Sequence, residues 1–507
     1  MDQGSDPNCP DCAALRQRLE KLARHNALLR QRNRVLIRRV RSLQSELQRQ
    51  QAFRRRAEDR VAELEERTRT NAANSHLPPS ANPIGAPPPT PKKPTGRKRG
   101  AQPGHRGHGR KLLPVEQVDQ RVEHRPQQCQ ACGAGLAGVA GRLVGRHQVA
   151  ELPPRAVTIT EHQSFACRCP RCGAVTRERI PAAARASACG PRLSAAIGLL
   201  SCDVQAARRA VARAVGRMLG CPIALGSVSA REAELADALS EPYQRLVDQA
   251  ADRPVKYLDE TGWSRKGEPH WLFVAATPAE AVFRIERTRT RSSLEQLLGG
   301  KPPRRACCSD RAGLYDLLPA RRRQLCWAHL KRDFVRCQQR GGASRAIGNV
   351  GVRVAKRVFA LWRDFRARRL TRARLQARVR PLQARLDRAL RRGAHCCDAQ
   401  KTRGLCRQLL RHHVSLWRFA DVPGLAPDNN RAERMLRPAV TWRKTSFGSD
   451  SRRGCTFAAR ALSVTRTLAL RRHDALDYLT AAISAHRSGQ PAPPIPQPPK
   501  AGLQKID

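Results

Sequence analysis

Residues 254–263 read PVKYLDETGW, a short apolar run that ends on two adjacent acids, Asp259 and Glu260. Downstream, HWLFVAAT (270–277) and AVFRIERTRT (281–290) read as two further strands, and SSLEQLL (292–298) reads as a helix. ACCSDRAGLY (306–315) is again a short apolar strand running onto an acid, Asp310. Three antiparallel strands, a helix, and a strand that returns beside the first would put Asp259 and Asp310 at the ends of neighbouring strands. Glu260, one residue on, is expected on the opposite face from Asp259.

That order is the order of an RNase H-like α/β core. Two carboxylates at adjacent strand ends suit phosphodiester chemistry with a pair of Mg²⁺ ions about 4 Å apart, because hard cations demand carboxylate oxygens. Asp259 and Asp310 would serve equally as turn residues at strand ends. A third carboxylate is expected on a helix packed against the sheet, and PDNNRAERMLRPAVTWRKTSFGSDS (427–451) supplies Glu433. Asn430-x-x-Glu433 also has the spacing of a capping box, so Glu433 is either a metal ligand or a helix cap. Arg431, Arg434, Arg437, Arg443 and Lys444 surround it as candidate phosphate ligands, arginine being suited by its planar donor fork. The span from Asp310 to Glu433 exceeds what such a core requires. Its basic stretch at about 335–420 predicts a helical insertion over the site that binds DNA, with a solvated helix pair as the plain alternative.

Upstream, Leu15, Leu22, Leu29, Leu36 and Leu43 recur every seven residues beside a second series, Leu19, Asn26, Asn33, Val40 and Leu47. These are d and a positions of a coiled coil over 9–70, and asparagine at a favours a parallel dimer in one register. Residues 71–111 form a Pro-rich, basic linker. Cys129-x-x-Cys132 and Cys169-x-x-Cys172, each followed by glycine, predict a zinc-binding domain over 112–185 whose four thiolates hold a structural Zn²⁺. VAELPPRAVTITEHQSFAC (149–167) between them alternates like strands. Cys167 is an alternative ligand or an incidental thiol, and Cys9-x-x-Cys12 lacks a matching second pair. Residues 186–250 read as helices, with Ser227 and Ser229 as N-cap candidates, in a pattern open to a helix-turn-helix that binds DNA.

The chain has 507 residues with 96 Lys and Arg against 42 Asp and Glu, a net charge of +54. So large an excess points to a polyanionic partner, foremost nucleic acid, although arginine spread over solvated faces would also produce it. No apolar run approaches the roughly 18 residues of a membrane span. Eighteen cysteines in this length fall short of a disulfide scaffold and suit reduced thiols in the cytosol. The expected architecture is a multi-domain α/β protein: the coiled coil, the small zinc domain and the helical region, then a catalytic domain over 251–450. A helical segment at 451–487 and an unstructured tail at 488–507 follow.

The strings YLDETGW (257–263), CCSDRAGLYDLL (307–318), QLCWAHLKRDF (324–334) and 427–451 resemble the motif series of the insertion-sequence-66 family of bacterial transposases. RKRGAQPGHRGHGRKLLP (97–114), the paired CxxC turns and the leading coil follow in that family's order. The resemblance implies a DDE-type transposase with Asp259, Asp310 and Glu433 as catalytic acids that hold Mg²⁺ or Mn²⁺. It implies double-stranded DNA as substrate at element ends and target, small accessory proteins of the same element, no membrane, and a bacterial, nucleoid-associated location. His329, in the family's Cys-Trp-Ala-His string, either assists metal or DNA or is structural. Arg311 departs from the family's usual Asp-Gly-Tyr after the second acid, and NSHLPPSANP (74–83) drifts from its linker pattern. Two other readings use the same residues: a catalytically decayed transposase acting only as a zinc-containing DNA-binding protein, and an RNase H-like nuclease without strand transfer.

The heptads make one prediction independent of the rest. Residues 1–70 alone should sediment as a parallel helical dimer at micromolar concentration, and Asn26→Val with Asn33→Val should raise its stability while relaxing oligomer choice. A monomer would remove the coil.

Overall fold

The computed structural model describes residues 10–68, 112–153, 157–172, 174–185, 187–300, 306–397 and 399–499. Cys9, the 71–111 linker and the last eight residues of the expected tail lie outside them. Helix α1 (Pro10–Thr68) is continuous, and the leucines of both heptad series are exposed along it. At its far end Glu66 accepts from Arg340 at 2.6 Å and Lys401 at 2.8 Å.

Among the described residues, 112–185 hold a turn of 3₁₀-helix (Val115–Gln117), one hairpin, β1 (Ala166–Arg168) with β2 (Val175–Arg177), and one turn of α-helix, α2 (Ala182–Arg185). Of the stretch 149–167 expected to alternate as strands, the described residues 149–153 and 157–165 form none, and Ala166 and Cys167 alone enter a strand, β1. No described residue of 112–185 is buried, and Val149 and Ile159 are 81% and 72% exposed. Without a face to bury, strand alternation has nothing to act on.

Four helices follow: α3 (Pro191–Cys202), α4 (Arg208–Met218), α5 (Leu225–Ala238) and α6 (Ser240–Asp252). Ser227 and Ser229 lie inside α5, which starts after Ala224 instead. The sheet comprises β3 (Val255–Arg265), β4 (Glu268–Ala276) and β5 (Ala281–Glu286), then α7 (Arg291–Leu297), then β6 (Ala306–Ser309) and β7 (Arg323–Leu325). Its order is β5-β4-β3-β6-β7. The first three strands are antiparallel, and β6 and β7 run parallel to β3. Lys266 and Gly267 make the β3–β4 turn with φ of 52° and 82°, the left-handed pair that a two-residue hairpin needs.

Helices α8 (Trp327–Arg340), α9 (Gly342–Arg366), α10 (Arg372–Cys396), α11 (Gln400–Arg411) and α12 (Arg418–Asp421) form the insertion expected from the basic stretch. It has a core of its own, with Phe334, Val358, Leu386 and Leu409 fully buried. The chain leaves the sheet at Trp327 and returns at Pro427, whose carbonyl accepts from the Trp327 amide at 2.9 Å. The excursion is therefore closed at its root. Helices α13 (Asn430–Ser446), α14 (Arg452–Leu470) and α15 (Ala475–Arg487) then pack with α3, α5, α6 and the sheet around one large core. Residues 488–499, expected as unstructured, lie against this body instead. Arg471, fully buried, donates to the carbonyls of Ile495 and Pro496, and Tyr478 Oη donates to that of Pro493.

Helix α13 lies along β3 and is fixed at both ends. Near its start the fully buried Asn429 donates from Nδ2 to the Leu258 carbonyl at 2.8 Å, and near its end Arg443 donates to that of Gly262 at 2.6 Å. Beyond the helix Ser449 N reaches Ser264 O at 2.9 Å and Lys266 N reaches Ser449 O at 2.8 Å. That approach requires glycine at 448, where φ is +99° and a Cβ would meet Ser264 O at 2.3 Å. Trp442 stacks edge-on between Trp263 and Phe457.

Gly448→Ala should therefore destabilise the protein by about 2 kcal/mol or more. Gly404→Ala on α11 meets open space and should be neutral or stabilising by up to about 1 kcal/mol. Thermal denaturation of the two variants checks this, and equal midpoints would refute the close approach.

Candidate active site

Asp259 sits midway along β3, half-buried, with Oδ1 accepting the Glu260 amide at 3.0 Å. Asp310 follows the last residue of β6, and its Oδ1 accepts the Ala312 amide at 2.9 Å. The buried Arg323 of β7 holds this turn from below, donating to the carbonyls of Asp310 at 2.9 Å and Ala312 at 3.3 Å. Glu433 lies in the first turn of α13, which the Asn429–Leu258 bond presses against β3. The three acids are close enough to act on one another. Burial first, then the charges of Glu260, Asp310 and Glu433, pushes the Asp259 carboxyl well above the usual carboxylate range. Burial also raises Glu433, opposed by Arg332 and Arg437 and reinforced by Asp428 and Asp310.

Glu433 does not cap its helix. The N-cap is Asn429 and makes no side-chain capping bond; with that start, Glu433 is one position beyond the reach of a capping box. Asp428 Oδ1 takes the Asn430 amide instead, at 3.1 Å. Glu433 Oε1 is buried with no hydrogen-bond partner and lies 3.6 Å from His329 Nε2.

Glu260 is not a bystander: after burial, its charge raises Asp259 more than that of Asp310 or Glu433 does. Its side chain is 5% exposed and accepts from Arg289 and from the Tyr315 hydroxyl. Burial raises it, Asp310 adds to that, and Tyr315 and Arg289 oppose it. Arg311 turns toward the insertion and donates to Asp333 of α8 at 3.1 Å and to Gln408 of α11.

The five candidate phosphate ligands divide. Arg434, Arg437 and Lys444 are exposed. Arg431 is half-buried over the Tyr257 ring, 5.4 Å from its centroid, and donates to Thr277 O at 3.4 Å, while Arg443 donates to Gly262 O. These two serve the core first. On α4, Arg209, Arg213 and Arg217 are exposed at four-residue spacing, a basic stripe opposite the buried Val211 and Val215.

The cysteines of 112–185 form two turns of one design. In each, the first thiol, Cys129 or Cys169, is held below its ordinary value by backbone amides two and three residues on, and by the second thiol. Gly133, at φ +72°, closes the first turn. Cys167 is exposed on β1. The two pairs do not join: among the described residues, the one group of three or more ligand atoms within 4.8 Å of one another is Cys326, His329 and Glu433.

The family model of the transposase IS66 family matches residues 187–456, more than half of the chain and all of the sheet with its three acids. The chain belongs to that family. Residues 16–111 match a second model, that of a family of unknown function, DUF6444. No curated protein and no solved structure matches the chain. Among the described residues no helix is long and apolar enough to cross a membrane.

Crowded carboxylates and an orphaned buried oxygen are a donor set fit for divalent cations. Asp259 binds its proton more tightly folded than unfolded, so its contribution favours the native state at low pH and is lost as pH rises from about 3.9 toward the raised native value. Asp259→Asn should leave the metal-free protein as stable as wild type at pH 8, or more so. The rise in thermal midpoint that Mg²⁺ gives wild type should vanish in the variant; a Mg²⁺ shift of equal size in both would place the cation elsewhere.

Proposed function

We propose that this chain is a DDE-type transposase that binds the ends of its element, hydrolyses a phosphodiester to free a 3′-OH and directs that hydroxyl into target DNA. The observation that carries the reading is the convergence of Asp259, Asp310 and Glu433 from β3, the end of β6 and the start of α13. The strand order, an antiparallel trio flanked by two strands parallel to its first member, supports an RNase H-like core. When bound there, a pair of Mg²⁺ or Mn²⁺ ions supplies Lewis acidity and a nucleophilic oxygen at neutral pH.

The protein's own part is to hold these oxygens in register. Asp259, which feels the charges of both other acids, would hold the cations together with Asp310 and Glu433. Arg434, Arg437 and Lys444 on the exposed side of α13 hold the DNA backbone beside them, and the α4 stripe with the basic insertion extends that surface. Although the two thiol pairs stand apart here, Cys129, Cys132, Cys169 and Cys172 would hold a structural Zn²⁺ once drawn together, and that binding would fold 112–185, which lacks a core of its own. The leucine series of α1 closes a dimer and so pairs two element ends. A bacterial, nucleoid-associated location and accessory proteins of the same element belong to this reading. The decayed-transposase alternative rests on Arg311, and its pairing with Asp333 away from the acids weakens it. A nuclease without strand transfer is separated only by the joining step.

Asp259→Asn, Asp310→Asn and Glu433→Gln should each abolish cleavage and joining on the DNA flanking the gene while DNA binding persists. Arg434→Ala with Arg437→Ala should weaken binding and flatten its dependence on log salt by about 0.9 for each phosphate no longer neutralised. Gel-based cleavage, joining and binding assays in Mg²⁺ decide. Glu433→Gln with full activity would end the three-acid mechanism, and cleavage without joining would favour the nuclease.

A further inference from the structure

Cys326 is the N-cap of α8, a 14-residue helix, and His329 stands one turn further on. The Cys326 thiol accepts the Asn429 amide at 3.2 Å. The Cys-x-x-His spacing at the head of α8 sets the two side chains one helical turn apart, and burial rather than backbone amides dominates at this sulfur, pushing the thiol up to about 12. Cys326 and His329 are 1% and 8% exposed, and the Glu433 side chain, which closes the group, is 31% exposed. Ligand atoms around a tetrahedral zinc stand about 3.3–3.8 Å apart. His329 Nε2 and Glu433 Oε1 are 3.6 Å apart and the sulfur is within 4.8 Å of both, so a small inward shift completes three corners. The fourth corner faces the open side. Asp428 and Asp310 add negative charge nearby, and Glu433 Oε1 offers a buried lone pair with no donor.

We propose that Cys326, His329 and Glu433 form a second zinc site, distinct from the CxxC turns, that shares Glu433 with the catalytic carboxylates. The ligand set selects by softness: thiolate and imidazole favour Zn²⁺ or Co²⁺ and discriminate against Mg²⁺. Binding converts the Cys326 thiol to thiolate with release of its proton. Because the site takes an oxygen of Glu433, zinc held there opposes the hard cations at the three acids, and Zn²⁺ antagonises Mg²⁺-dependent cleavage. This last consequence rests on the proposed function; the site itself does not.

The test is a Co²⁺ absorption titration of the full chain carrying Cys129→Ser, Cys132→Ser, Cys169→Ser and Cys172→Ser, which silences the upstream thiols. About one equivalent of Co²⁺ should bind with tetrahedral d–d bands and a thiolate-to-metal charge-transfer band, both displaced by Zn²⁺. Adding Cys326→Ser should abolish the charge-transfer band, and adding His329→Ala should weaken binding at least about tenfold; circular dichroism reports whether each variant folds. No band, or a band that survives Cys326→Ser, overturns the site. Should Cys326→Ser fail to fold, unchanged affinity in His329→Ala overturns it. Cobalt bound as expected by a chain that does not cut DNA in Mg²⁺ supports the site and contradicts the proposed function, whereas cleavage without a cobalt band does the reverse. In the wild-type chain, cleavage undiminished with the core site filled by Zn²⁺ overturns the shared ligand.

Discussion

The hydrogen bond from Asn429 Nδ2 to the Leu258 carbonyl fixes the register of a helix against a strand, and the geometry of the acids follows from it. Leu258 precedes Asp259, and the carbonyl of Asn429 accepts the Glu433 amide at 3.1 Å. One buried amide thus sets where both carboxylates stand. Arg443, Ser449 and the close approach at Gly448 fix the other end of α13, so the helix can neither slide nor lift without breaking several buried bonds. Asn429 Oδ1 is left without a partner, a cost on the order of 1–3 kcal/mol that the surrounding packing absorbs.

The same constraint explains how about a hundred residues can intervene between β7 and α13. Trp327 N bonded to Pro427 O closes the insertion where it begins, and Tyr257 Oη ties the return segment to β3, donating to Gly424 O at 3.0 Å and accepting the Ala426 amide at 2.8 Å. The insertion can carry its own core without passing strain into the sheet. It meets the site at two places: His329 of α8 lies 3.6 Å from Glu433, and the bonds of Arg311 to Asp333 and Gln408 join the turn after Asp310 to α8 and α11. A residue that departs from its family's pattern thus becomes one of the connections between the acids and the helices over them.

Local pattern carries much of this. The apolar runs ending on Asp259 and Asp310 mark strands, and their order in the chain suffices for the sheet because parallel and antiparallel connections have few solutions. Helices are legible wherever apolar residues recur at helical spacing. The roles of Asn429, Arg323 and Tyr315 are not, since each acts through a partner far away in the chain and a buried polar residue carries no periodic signature. For Glu260, strand alternation says which way the side chain points and nothing about the Tyr315 and Arg289 that meet it. The described residues of 149–165 form no strand despite their alternating pattern, because the described chain offers them no surface to cover. Arg471 holds down a segment whose prolines suggest no structure.

The convergence of the three acids is tested most directly by electron paramagnetic resonance titration of the full chain with Mn²⁺. Wild type should bind Mn²⁺ at this site, with Asp259→Asn, Asp310→Asn and Glu433→Gln each weakening it, and Asn429→Ala weakening it through a shifted register although Asn429 touches no cation. Mn²⁺ bound as tightly by Glu433→Gln as by wild type would contradict the account, because α13 would then not bring its carboxylate to β3.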